Sequence, residues 1–327
     1  MKKIRNSLFL FFTSLVVSLL LIESFCRLVI DDGMHYHLEM WKYAINLKQI
    51  SNNPKIGHEH LPNQKIMLMG VNVETNNYGL RSGQIDKEPG NDITRILMLG
   101  DSVTFGWGVK YDETISRGLE ESLSYTINGK VEVINAGVGN YNTSMQAEWF
   151  DTIGVFFSPD LVVLNFFIND AELTPTYKAI SFLDKHLYSK VIFLAGLDSA
   201  KRKFFREKDW ESYYRSLYFS NSEGWLEFKE SFLRIVDICK KNDLPLIIAD
   251  YPELRRLQPY PFQDISRKIE LLSDASNVHY ISLLPAVINE KPEKLWVSVP
   301  DPHPNGYANK LMSEFLAKKL SQNLSTK

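Results

Sequence analysis

Three side chains in this chain combine types and surroundings suited to chemistry: the hydroxyl of Ser102, the imidazole of His303 and the carboxylate of Asp301. A serine becomes a nucleophile when a base takes its proton, a carboxylate orients that base, and donors hold the oxyanion that develops. His303 lies in Val299-Pro-Asp-Pro-His-Pro-Asn-Gly306, where Asp301 and His303 each precede a proline. A following proline biases a residue toward extended backbone, and residues i and i+2 of an extended chain point to the same side. Asp301 can therefore reach the imidazole of His303 and hold the tautomer that accepts a proton from Ser102. Taken alone, Ser102 reads equally well as a helix N-cap. The company of a proline-flanked histidine with a carboxylate two residues before it favours catalysis.

These residues need elements that deliver them to one place. Ser102 follows Arg95-Ile-Leu-Met-Leu-Gly-Asp101, apolar from Ile96 to Leu99 without alternation, as expected of a central parallel strand covered on both faces. Ligands of open α/β sheets bind beyond the carboxyl ends of such strands. Two phosphate-binding readings fail on spelling, since no Gly-Lys-Ser/Thr is present and Gly100, Gly106 and Gly108 do not make G-x-G-x-x-G. Strand, loop and helix then repeat. A helix is predicted over 114–125, a strand over 131–134 ending in Asn135-Ala-Gly-Val-Gly-Asn140, a helix over 144–156, and a strand over 161–166 ending in Phe167-Ile-Asn-Asp170. Further helices are predicted at 225–241, 262–273 and 305–320, with strands at 244–249 and 278–284. The alternation is the signature of a parallel sheet built from βα units. Residues 171–224 interrupt it as an insertion, with a basic run at 201–206, placed to form a lid or substrate wall, or else a packing helix.

The remaining features bound the function. The 327 residues carry a net charge of -2 and 44% hydrophobic content, an ordinary globular composition with no basic face for nucleic acid. Cys26 and Cys239 are the only cysteines, so no structural disulfide, metal cluster or cofactor is expected. Lys2, Lys3 and Arg5 precede an uncharged stretch from Asn6 to Ile22. That stretch extends to Ile30 if Glu23 pairs with Arg27 one helical turn on at the interface. It reads as a membrane helix with its basic flank in the cytoplasm, or as a cleaved signal peptide. Either reading puts the rest of the chain beyond the membrane, in the periplasm or at the cell surface. The chain thus divides into an anchor at 1–30, a juxtamembrane stalk with a hairpin through Gly70 at 31–90, and the α/β domain at 91–322. His35, His37, His58 and His60 in the stalk read as surface residues rather than metal ligands. Arg81 either contacts an anionic substrate or bridges to a carboxylate, the second being favoured.

Gly100-Asp101-Ser102 after a strand, the Asn135 to Asn140 loop, Asn169-Asp170 after a third strand and Asp301-x-His303 near the end, in this order, resemble the SGNH (GDSL-type) hydrolases over residues 90–320. The resemblance implies a three-layer α/β/α sandwich with a five-stranded parallel flavodoxin-like sheet. It implies Ser102 as nucleophile, His303 as base and Asp301 as its partner. The oxyanion donors would be the Ser102 N–H, an N–H of the second block and the Asn169 amide. Asn140 stands where the family usually has glycine, with Gly139 just before it, so either supplies that N–H. Phe167 replaces a usual glycine and narrows the pocket, and the usual Asp-x-x-His is shortened. With an outward-facing anchored domain, the resemblance implies an esterase acting on an acylated small molecule or glycan, a carbohydrate O-acetyl ester above all. The alternatives are an O-acetyltransferase and a non-catalytic glycan-binding or assembly protein on the same fold.

Overall fold

The computed structural model describes residues 2–90, 92–127, 129–175, 181–205, 209–299 and 301–324. Arg206, at the end of the basic run, lies outside them. The first helix, α1 (Lys2–Phe25), continues through a π-helical turn at Cys26–Ile30, and together they form one apolar helix long enough to cross a bilayer. Then follow α2 (Tyr36–Asn46), strands β1 (Lys48–Ile50) and β2 (His58–His60), and the hairpin of β3 (Lys65–Leu68) and β4 (Val71–Glu74). The hairpin turns through Met69 and Gly70, both at positive φ, the backbone that matches the twist of paired strands.

The α/β part opens with β5 (Ile93–Gly100), the one-turn α3 (Ser102–Phe105), α4 (Ile115–Ser124), β6 (Lys130–Gly137), α5 (Thr143–Thr152) and β7 (Leu161–Phe166). The insertion holds α6 (Phe182–His186), α7 (Tyr188–Phe205) and α8 (Trp210–Leu217). The chain returns through α9 (Glu223–Lys241), β8 (Leu246–Asp250), α10 (Gln263–Ala275), β9 (His279–Ser282) and α11 (Leu284–Val287), and ends with the ribbon β10 (Trp296–Ser298) and β11 (Asp301–Pro304) and α12 (Gly306–Leu324). The strands and helices expected from periodicity are present, with ends displaced by a few residues.

Strands β6, β5, β7, β8 and β9 lie in that order in one sheet, every pair parallel. Because successive side chains of a strand face opposite ways, each strand feeds two cores. Leu97, Leu99, Val162, Leu164 and Ile248 pack with Phe150 of α5, Phe232 of α9 and Ile269 of α10. Ile96, Met98, Val163, Ile247 and Ala249 pack with Leu119 of α4 and Met312 and Leu316 of α12. The result is the three-layer sandwich. The strand order reverses at β5, whose neighbours β6 and β7 lie on either side. A crevice opens beyond the carboxyl ends at such a reversal, between the turn that carries Ser102 and the one that carries Asn169.

Residues 31–90 pack onto this domain rather than standing apart from it. Tyr43 of α2 and Leu47 just after it join Leu68 and Val73 of the hairpin in a third core that includes Phe105 and Trp107, just after Ser102.

Candidate active site

The turn after β5 is built to expose one hydroxyl. A Cβ on Gly100 would stand 2.0 Å from Thr104 Oγ1, so only glycine lets α3 start this close to the strand end. Asp101 caps α3, its Oδ1 accepting the Val103 N–H at 2.8 Å, so Ser102 is not the cap. The Ser102 N–H heads the helix, where there is no intrahelical acceptor. Arg81 buttresses the next turn, donating to the carbonyls of Phe105, Gly106 and Val109 and lying over the Phe105 ring. It is buried and, contrary to expectation, meets backbone rather than a carboxylate or the open cleft.

His303 arrives from the opposite end of the chain. In β11 its backbone and that of Asp301 are extended, as the flanking prolines dictate, and pairing with β10 holds that extended segment in place. Ser102 Oγ lies 2.9 Å from His303 Nε2, and His303 Nδ1 lies 2.5 Å from Asp301 Oδ1. A carboxylate only accepts, so Nδ1 carries the proton and Nε2 is free to take the one on Ser102. Asp301 also accepts the Trp107 indole N–H on Oδ2 at 2.7 Å and is wholly buried. Burial alone would push its pKa up, but the bonds from His303 and Trp107 outweigh it and hold the carboxyl below the usual range.

Asn169 reaches the same cleft from the turn after β7. Its amide donates to Asp101 Oδ2 at 3.0 Å, which leaves the second N–H of that amide for a ligand. Burial pushes the Asp101 carboxyl up against the bonds from Val103 and Asn169. Thus the aspartate beside Ser102 caps the helix and aims Asn169, while Asp301 serves the histidine.

The loop after β6 is gripped by the N-terminal segment. The Gly139 N–H donates to Tyr43 Oη at 2.9 Å, and Tyr43 Oη lies 2.6 Å from His60 Nε2. His60 Nδ1 faces the Gly79 carbonyl at 3.2 Å, so the proton chain runs one way, from Gly139 through Tyr43 and His60 to Gly79. The Gly139 carbonyl accepts from Lys48 Nζ at 2.6 Å and from His58 Nε2 at 2.9 Å. A Cβ on residue 139 would stand 2.8 Å from the Tyr43 ring, which is why glycine stands there. Asn140 follows at φ 70°, a conformation asparagine tolerates, and its N–H meets no acceptor among the described residues. With the Gly139 N–H engaged by Tyr43, Asn140 is the free donor of this loop.

His58 and His60 are therefore buried, not surface residues as the sequence suggested. Burial, with the Lys48 charge beside it, takes His58 down to about 3, and burial takes His60 well below its ordinary value. Burial brings Lys48 down to about 7. The sequence analysis missed Tyr43, Lys48 and Trp107. Only the two glycines flanking Trp107 hinted that a large side chain turns inward there.

Ser102, Gly139, Asn140, Asn169, Asp301 and His303 all line one cleft of about 500 Å³. Phe167 forms part of its wall, as do Asp198, Ser199 and Tyr214 from the insertion and Tyr36, His37 and Met40 from α2. Among the described residues no group of three or more His, Cys, Asp or Glu side chains is gathered to hold a metal, and the two cysteines are unpaired and buried.

No protein-family model matches the sequence, and no curated protein is similar to it at a significant level. Solved structures of similar fold include the lipase/acylhydrolase of Enterococcus faecalis, at 13% identity over 70% of this chain and 96% of that one, TM-score 0.45. Another is a GDSL-like lipase of Bacteroides thetaiotaomicron, at 16% identity over 73% and 93%, TM-score 0.41. A third is the acetyl xylan esterase AlAXEase, at 17% identity over 70% and 98%, TM-score 0.44. At this distance the chemistry has to be read from the chain's own geometry.

Proposed function

We propose that this chain is a serine esterase that forms an acyl-enzyme on Ser102. The observation that carries the reading is the run of contacts from Ser102 Oγ to His303 Nε2 at 2.9 Å and from His303 Nδ1 to the buried Asp301 at 2.5 Å. In the first step the Ser102 oxygen attacks the ester carbonyl carbon while its proton passes to His303 Nε2. Asp301 stabilises the imidazolium so formed. The oxyanion is met by the Ser102 and Asn140 N–H groups and the Asn169 amide, preset donors that need no reorganisation as charge develops. The ester C–O bond then breaks, and His303 returns the proton to the departing alcohol. Water, or an acceptor hydroxyl in a transferase, attacks the acyl carbon with His303 again as base, releasing Ser102.

The cleft suits a neutral, polyhydroxylated substrate. Its cation Arg255 is already paired with Glu253 at 2.8 Å, while Glu172, Asp198, Asn140 and the Tyr214 ring offer hydrogen-bonding and stacking surfaces. A carbohydrate O-acetyl ester fits that lining, with the enzyme acting as a deacetylase or an O-acetyltransferase. In this reading α1 anchors the chain in a membrane with Lys2, Lys3 and Arg5 on the cytoplasmic side, and the cleft faces the periplasm or the cell exterior.

Labelling of the full chain with a fluorophosphonate probe tests the assignment. Modification at Ser102, absent in Ser102→Ala, is the expected result. A wild-type chain that stays unlabelled and does not turn over a simple aryl acetate would instead favour a binding or assembly protein on this fold.

A further inference from the structure

The insertion carries large apolar side chains that nothing among the described residues covers. On α6, Phe182 and Leu183 are 76% and 60% exposed, and on α7 Phe193, Leu194 and Leu197 are 64%, 51% and 42% exposed. Exposed apolar side chains scattered singly are ordinary, but a run of this kind marks an interaction surface. On α7 the three lie on one side at i, i+1 and i+4, with Lys190 and Lys201 three or four residues away on that same side by helical spacing. Lysines there can lay their aliphatic stems along apolar surface and keep their ammonium groups in water.

The contacts of α7 fix the level at which this face sits. Between Arg5 and Glu23 the sequence has no charged residue, so Glu23 and Arg27, joined at 2.7 Å, mark where α1 leaves the hydrocarbon. The start of α7 is tied to that point. The Tyr188 and Ser189 N–H groups donate to the Glu23 carboxylate at 3.1 and 3.0 Å, and the Ser189 hydroxyl does so at 2.8 Å. The Arg27 guanidinium lies 4.4 Å from the Tyr188 ring centre. Trp41 of α2 completes the junction, its indole N–H donating to the Asp184 carbonyl at 2.7 Å. Farther along α7, Asp198 and Ser199 line the cleft with Ser102.

We propose that α6 and α7 form an interfacial element whose exposed apolar side chains enter the headgroup region of the bilayer that α1 spans. The element then holds the Asp198–Ser199 wall of the cleft at the lipid surface, so that esters displayed on the membrane are the ones presented to Ser102. An amphipathic helix in this position buries its apolar face some 5–10 Å into the boundary between headgroups and acyl chains. The inference rests on reading α1 as a membrane anchor, and its test separates the two.

The full chain is reconstituted into phosphatidylcholine–phosphatidylglycerol vesicles with a bimane label at one introduced cysteine, Leu15→Cys, Leu194→Cys or Tyr125→Cys. Tyr125 stands before β6, toward the amino-terminal ends of the parallel strands and away from the cleft at their carboxyl ends, and is 82% exposed. Each label is challenged with a lipid-borne nitroxide and with aqueous iodide. Expected is severalfold stronger quenching by the lipid nitroxide than by iodide at both 15 and 194, with the reverse at 125. Lipid quenching at 15 with iodide quenching at 194 overturns the interfacial element and leaves the anchor standing. Iodide quenching at 15 overturns the anchor, and the inference with it. Protection of 194 from both quenchers also overturns the inference, because the face is then covered by protein. A Leu194→Glu chain that keeps its turnover of a water-soluble aryl acetate but loses lipid quenching at a label on Leu197→Cys is a further expected result; unchanged quenching there counts against the inference.

Discussion

The hydroxyl of Tyr43 accepts the backbone N–H of Gly139 at 2.9 Å, so a residue of α2 orients the loop that presents Asn140 to the cleft. The same hydroxyl faces His60, and the Gly139 carbonyl takes Lys48 and His58. Gly139 is thereby fixed through both its N–H and its C=O by segments some ninety residues earlier in the chain. Oxyanion donors are effective only where they are held in advance, which gives this clamp a kinetic consequence.

Tyr43→Phe removes the acceptor of the Gly139 N–H and the donor to His60 while keeping the ring. The expected outcome is a fall in kcat of roughly tenfold on an aryl acetate, with KM little changed, as befits loss of a contact expressed mainly in the transition state. Stability should fall by about 1–3 kcal/mol from the buried groups left unpaired. A fall in stability with kcat unchanged would limit Tyr43 to a packing role.

His58 and His60 give the clamp a pH dependence. Both take up a proton near the ordinary value of 6.5 when the chain is unfolded, whereas in the fold His58 does so only at about 3 and His60 well below 6.5. Between these limits the unfolded chain holds more protons, so stability falls as pH falls from about 6.5 toward 3. His58→Gln keeps a donor for the Gly139 carbonyl and removes one titration. Its denaturation midpoint should drop less than that of wild type between pH 6.5 and 4.5, and parallel curves would refute the assignment.

Asp301→Asn leaves shape intact but offers an N–H where His303 Nδ1 needs an acceptor, favouring the wrong tautomer. A loss of roughly 10³–10⁴ in kcat is expected. Trp107→Phe is gentler. It strips one donor from a wholly buried carboxyl that is held below the usual carboxylate range in part by that bond, so the acid limb of the pH–rate profile should move to higher pH, with kcat reduced about tenfold. An unmoved limb would separate Trp107 from the function of Asp301.

Membrane attachment through α1 predicts that the intact chain stays with membranes after alkaline carbonate washing and is released by detergent. Recovery of a shortened soluble form beginning near residue 30 would favour a cleaved signal instead.

What the sequence determined by itself is whatever depends on neighbours along the chain. The unbroken apolar run Ile96–Leu99 marks a strand buried on both faces, and alternation of strands with amphipathic helices implies a parallel sheet. Prolines after Asp301 and His303 impose the extended backbone that lets those two side chains meet. Ser102 and Asn169 each follow a strand of that sheet, which puts both at its carboxyl end; that the two strands are neighbours at the reversal was decided by the tertiary structure. Only the tertiary structure decided the surroundings of Gly139. Tyr43, Lys48, His58 and His60 sit in short elements with no strong period; the two histidines read as solvated, and nothing local announces a partner for Tyr43 or Lys48. Tyr43, His58 and His60 are buried and Lys48 is half-buried because each finds its hydrogen bond on another segment of the chain. The choice between Gly139 and Asn140 as donor was closed to sequence reading for the same reason. It turns on whether a distant tyrosine oxygen has already taken one of the two N–H groups.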